Sequence, residues 1–259
     1  MKAGAPFRWF SGLRSSATKD FLGGHVPAVT TGNANKWRTS APLSVYSVAE
    51  ERANVLTHAL GIVLSVAGLI LLTTVSASNG DAWHFVSTGV FGVTLVLLYT
   101  TSTLYHLAVD AAAKQWWRKC DHAGIFLLIA GSYTPFLLVT LRGTWGWSLF
   151  AVVWGLGLFG MTLKFRFAGH FRVLSTLIYV GMGWIVLIPL RHVMTVLPMH
   201  GVWLLVIGGF CYTGGTLFYL WKKLPYHHAV WHLFVLAGSI CHWCAVFEYV
   251  IPGTSLFNG

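Results

Sequence analysis

The chain has 259 residues, 56% of them hydrophobic and 9% charged, with a formal net charge of +10. Soluble domains carry about 25% charged residues, so this composition excludes an ordinary soluble domain and points to lipid as the solvent. The basic residues lie in a tail and in short loops between apolar runs, not along one continuous stripe, and no nucleic-acid partner is expected.

Residues 1–46 mix Gly, Ser, Thr, Pro, Arg and Lys with scattered aromatics and no sustained periodicity. They read as a basic, largely disordered tail, and residues 47–259 as one membrane domain. Ser47-Val48-Ala49-Glu50 has the form of a capping box, so the first helix is expected to start ahead of the membrane. Glu51, Asn54 and His58 then share one face of that helix. Seven apolar stretches follow, at about 55–76, 84–106, 122–141, 144–163, 173–190, 201–221 and 229–251. Each approaches the roughly 20 residues needed to cross a hydrocarbon core of about 30 Å. A backbone without water must satisfy itself, which predicts an all-α integral membrane bundle of seven transmembrane helices.

Fifteen Lys and Arg fall in the tail, the start of the first helix and the second, fourth and sixth loops; only Arg142 and Arg191 fall on the other side. The positive-inside rule then predicts a cytoplasmic N-terminus and an outside C-terminus. The same basic loops are expected to contact anionic lipid. Glycines in the later spans, such as Gly155, Gly157 and Gly160, suit close packing of helices and leave self-association open. Cys120, Cys211, Cys241 and Cys244 lie in or beside apolar runs and give no disulfide framework. Cys241-His242-Trp243-Cys244 has a metal-like spacing, but cysteine on an apolar helix reads as a small buried hydrophobe.

Ionisable groups inside a membrane are costly and mark candidate functional sites. The second span ends Ser102-Thr103-Leu104-Tyr105-His106, with Ser102 and His106 on one face about 6 Å apart along the axis. The third begins Asp121-His122, and the seventh contains His228-Ala229-Val230-Trp231-His232. Three helix ends thus bring His106, Asp121, His228 and His232 to one depth. A His pair at i, i+4 holds one transition metal, and a third imidazole from another helix leaves a fourth position for water, as in catalytic zinc sites. Such an ion acidifies its water to a pKa near 7 and polarises a carbonyl. Asp121 would serve as general base, and Ser102 would hold the water or the developing oxyanion. Three imidazoles suit Zn, but also Ni, Cu or Fe.

These segments carry a resemblance. S-T-L-Y-H at 102–106, C-D-H-A-G at 120–124, G-S-Y-T-P at 131–135 and H-A-V-W-H-L-F-V-L-A-G-S-I-C-H at 228–242 resemble the haemolysin III proteins. These are the bacterial branch of the progestin and adiponectin receptor (PAQR) family, and Glu51, Asn54, Thr57 and His58 fit that branch as well. The resemblance covers about residues 45–251 and implies a seven-helix bundle with an inner N-terminus, in a bacterial inner membrane. It also implies zinc on His106, His228 and His232, with a water touching Asp121 and Ser102. Related receptors and alkaline ceramidases are regarded as hydrolases of ceramide-like lipid amides, and the bacterial members have been linked to haemolysis and to membrane-fluidity homeostasis.

The function expected is therefore zinc-dependent hydrolysis of a membrane lipid amide or ester at the cytoplasmic leaflet. The alternatives are a non-catalytic regulator of lipid state with structural zinc, and a pore-forming haemolysin or channel. Against a pore stands the mostly apolar outer half, where polar rings would be needed. Glu51, Asn54, His58 and His122 are the candidates to orient the ligands, as metal-bound histidines need partners. For His58, hydrogen bonding between helices is the competing expectation, and His122 is expected to face a neighbouring helix. His242, about 15 Å along the helix from His232, is too far to share its ion and is expected to bond across helices. Tyr133, Pro135 and Trp184 read as packing or kink residues.

Overall fold

A computed structural model describes residues 46–166 and 172–254. The tail lies outside the described residues apart from Tyr46. Among the described residues every regular element is a helix: α1 Val48–Asn79, α2 Ala82–Leu107, α3 Ala111–Pro135, α4 Thr144–Arg166, α5 Arg172–Gly183, α6 Leu190–Val196, α7 Met199–Leu220 and α8 His227–Tyr249.

The capping box starts α1: Glu50 N–H donates to Ser47 Oγ at 3.2 Å and Ser47 N–H to Glu50 Oε2 at 2.9 Å. The buried line of α1 is Asn54, His58, Gly61, Ser65, Gly68, Leu72 and Ser76, a spacing of three and four that keeps one face toward α2 and α8. Leu56, Leu60, Val63 and Ile70 point the other way and stay exposed, as side chains facing lipid do. The small residues on the buried line let neighbours close in; a Cβ on Gly61 would stand 2.4 Å from the Tyr99 ring.

Among the described residues six helices are long and apolar enough to cross a membrane, and a seventh crossing requires counting α5 and α6 as one span bent by 56°. The stretch at 173–190, expected as a continuous helix, is thus broken after Gly183. Gly181, Gly183 and Pro189 give the physical reason: two residues of poor helix propensity precede a proline that cannot donate a backbone hydrogen bond. The break is supported from inside the bundle. Tyr133 hydroxyl faces the carbonyls of Gly183 (2.7 Å) and Met182 (3.1 Å) and accepts from Val186 N–H at 3.1 Å. Trp184 Nε1–H donates to Thr213 Oγ1 at 2.9 Å. Irregular backbone is tolerated at membrane depth where protein satisfies it, and these two side chains do so.

A second departure is α3, which begins at Ala111 instead of near 122, on an Asp110 cap that accepts from Ala113 N–H at 2.8 Å. Asp121 consequently sits within the helix and not at its mouth. Pro135, unable to bond back, is followed by a wider π turn at Phe136–Thr140. Consecutive helices pack side by side from α1 to α4, α5 lies on α3, α4 and α7, and α8 returns to α1. That return brings the first turns of α1 and α8 beside the last turn of α2.

Candidate metal centre

His106 arrives on the last turn of α2, His228 and His232 on the first two turns of α8. They are 4%, 6% and 1% exposed. Ring centroids are 5.0 Å apart for His106–His228, 5.2 Å for His106–His232 and 4.5 Å for His228–His232. One nitrogen of each lies within 4.8 Å of the others, so the group could hold a metal ion.

The hydrogen bonds decide which nitrogens remain. His106 Nδ1 is 2.6 Å from Glu51 Oε2, and a carboxylate can only accept, so the proton sits on Nδ1 and the lone pair on Nε2. Glu51 is itself held by Lys114 Nζ at 2.9 Å, and the Asn54 carboxamide lies 3.4 Å from the same imidazole nitrogen. His232 Nδ1 sits 3.2 Å from the Asn54 carbonyl and 3.0 Å from Thr57 Oγ1, which again leaves Nε2 for a ligand. His106 Nε2 and both nitrogens of His228 are buried with no hydrogen-bond partner. Unpaired buried nitrogens cost free energy in a metal-free protein, and ligation removes that cost. The donor set fits a transition metal.

Ser102, one turn before His106, is wholly buried, with its hydroxyl beside the Asp121 carboxyl. Asp121 is buried beside it and within electrostatic reach of His106. Asp121, His58, His228 and His232 together line an internal cavity of about 100 Å³. A second cavity of about 80 Å³ continues toward the far end between apolar walls such as Phe136, Leu137, Val193 and Val202. Ser132, Tyr133, Trp184, Gly209 and His242 belong to both.

His58 differs from the hydrogen-bonding expectation. Its ring stacks on His232 at 3.5 Å and meets Tyr99 edge-on at 5.0 Å, while neither of its nitrogens has a hydrogen-bond partner. His122 turns to α7, with Nε2 3.4 Å from Tyr219 hydroxyl, and its carbonyl accepts from Tyr179 hydroxyl at 3.0 Å. His242 Nε2 reaches across to the Leu205 carbonyl at 3.4 Å. Cys211, Cys241 and Cys244 are free thiols.

Sequence reasoning missed Lys114, which fixes Glu51, and Tyr46. The Tyr46 ring stacks on His228 at 5.1 Å and lies 6.0 Å from His106. The available signal was its position just before the Ser47 cap, where an aromatic commonly packs back onto the helix start.

Apolar helices around a buried polar cluster define a helical integral membrane protein with a metal-capable histidine site at one end. The chain belongs to the haemolysin-III related family, whose model matches residues 46–243. It is 43% identical over 207 residues to a hemolysin-3 homolog of Bacillus subtilis, covering 80% of this chain and 97% of that one. To hemolysin-3 of Bacillus cereus it is 44% identical over 208 residues, covering 80% and 95%. The human monocyte to macrophage differentiation factor is 28% identical over 207 residues, covering 78% and 84%, and supports the wider link to the progestin and adiponectin receptor family.

Proposed function

We propose that this protein is a membrane-embedded, zinc-dependent hydrolase of a lipid amide or ester, acting at the cytoplasmic leaflet with its N-terminus inside. The observation that carries the reading is the convergence of His106, His228 and His232, the first two with unpaired buried nitrogens, beside a cavity that His228, His232 and Asp121 line. His106, His228 and His232 would hold the ion, which when bound supplies Lewis acidity toward a carbonyl.

The chain's own residues supply the rest. Glu51 holds His106 at Nδ1, and the Asn54 carbonyl with Thr57 holds His232 at Nδ1, so both rings present Nε2 in fixed orientation. Asp121 takes the proton of the attacking water on a carboxylate oxygen and returns it to the leaving amine or alcohol. Ser102, buried beside Asp121, would donate to the oxygen that gains charge. The apolar cavities beyond accept a hydrocarbon chain and keep bulk water from the reacting carbonyl. A lipid substrate suits that shape, and the role in membrane lipid homeostasis is what the family resemblance implies.

The test begins with metal content of detergent-purified protein, wild type beside His228→Ala and His232→Ala. About one zinc per chain, absent from both variants, is expected. Release of fatty acid from a panel of ceramides and lipid esters by wild type, falling at least about 100-fold in Asp121→Asn, is the second arm. Folded wild type without metal, or loaded protein that hydrolyses none of the panel, would overturn the reading.

A further inference from the structure

Beside the histidine cluster, at the basic end of the bundle, lies a pocket of about 420 Å³ lined by Tyr46, Glu50, Lys222, Lys223 and His227 among others. Its wall is shared with the metal centre, because the Tyr46 ring that borders it also stacks on His228. We propose that this pocket binds a phosphate group, and that the group belongs to the headgroup of a lipid whose reacting carbonyl lies at the histidines.

The charge is arranged for an anion. Lys222 Nζ stands 5.1 Å from the Tyr219 ring centroid and 6.0 Å from that of Tyr46, so the ammonium is placed between two aromatic faces at the rim. Lys223 adds a second cation on the same rim. Among the described residues of the lining the acid is Glu50, whose oxygens serve the backbone: Oε2 accepts from Ser47 N–H and Oε1 from Tyr226 N–H at 3.1 Å. The latter bond holds Tyr226 in a left-handed conformation, φ 56°, which a non-glycine residue adopts at a cost. The corner that presents both lysines is therefore fixed by a residue far away in sequence. His227 is buried below, its Nδ1–H donating to the Phe218 carbonyl at 3.1 Å.

Position selects the ligand's form. The pocket opens at the polar end of apolar helices, beside rather than inside the hydrocarbon-lined cavities, as a headgroup and its chain would require. Topological lysines need no pocket, and Lys119 on α3 has the same sign at the same end without lining this one. The inference rests on the hydrolase reading only for the placement of the lipid carbonyl; the phosphate contact stands apart from turnover.

The experiment is calorimetric titration of the full chain in a neutral detergent with dihexanoyl phosphatidic acid, inorganic phosphate and neutral dihexanoylglycerol. Wild type is expected to bind the phosphatidic acid at least tenfold more tightly than Lys222→Gln/Lys223→Gln, with Lys119→Gln equal to wild type. Lys222→Arg/Lys223→Arg should restore binding, which separates loss of charge from loss of fold. Dihexanoylglycerol should not distinguish the variants. Inorganic phosphate that binds as tightly as the lipid, and is lost with the lysines, would support the pocket but assign it to free phosphate and overturn the lipid source. Equal phosphatidic acid binding by wild type and the double Gln variant would overturn the pocket. Zinc content, measured on the same samples, reports separately on the metal centre.

Discussion

Glu51 Oε2 lies 2.6 Å from His106 Nδ1, joining the first turn of α1 to the last turn of α2 across more than fifty residues of chain. The bond sets both the tautomer and the direction in which His106 presents Nε2. Carboxylate–histidine pairs of this kind raise ligand basicity, and removing the partner lowers metal affinity by roughly 10- to 100-fold. Glu51→Gln keeps an acceptor oxygen but loses the charge and the Lys114 ion pair, so a fall of about tenfold is expected. Competition with a zinc chelator measures it. An unchanged affinity would mean that packing alone orients His106.

His58 makes a contrasting case. It covers one face of His232 at 3.5 Å, yet neither nitrogen finds a hydrogen-bond partner in a buried site. A polar group buried without a partner carries a desolvation cost that an apolar ring of similar shape avoids. His58→Phe should therefore retain wild-type zinc content and keep or raise the thermal midpoint. His58→Ala should lower the midpoint through the cavity it leaves, by the equivalent of about 2–4 kcal/mol. Loss of zinc in His58→Phe would instead make His58 a fourth ligand and favour a closed, structural site.

The contrast between His106 and His58 shows what the sequence could carry. Spacing and depth were enough to select His106, His228 and His232, because i, i+4 geometry and span polarity act within a helix and hold whatever the neighbours do. The candidate partners Glu51, Asn54, His58 and His122 rested on helix face, depth and the need of ligand histidines for partners, but their bonds across helices were out of reach. Nothing local distinguishes Glu51, which bonds His106, from His58, which stacks on His232. Lys114 was invisible as a partner because it had been placed in a loop, whereas α3 begins early enough to carry it on its first turn. The broken span failed for a related reason: hydropathy reports burial in lipid, and α5 with α6 is as apolar as an unbroken helix. Its glycines and Pro189 were legible, but the Tyr133 and Trp184 bonds that support an interruption come from other helices.

Tyr133 is where that interruption can be tested. Its hydroxyl accepts from Val186 N–H and donates to the Gly183 carbonyl, two backbone groups released by the end of α5. A phenyl ring fills nearly the same space, so Tyr133→Phe strips the bonds while keeping the packing. Each buried backbone group left unpaired costs about 1–3 kcal/mol, and the surroundings contain little to replace the hydroxyl. The variant should lose several degrees in thermal midpoint in detergent. Amide exchange should quicken at residues 184–188 and stay unchanged in the first turns of α8. That pattern separates local loosening from global destabilisation, which would raise exchange in both places. Were exchange at 184–188 to match wild type, the Trp184–Thr213 bond would suffice to hold the break, and Trp184→Phe would become the variant that loosens it.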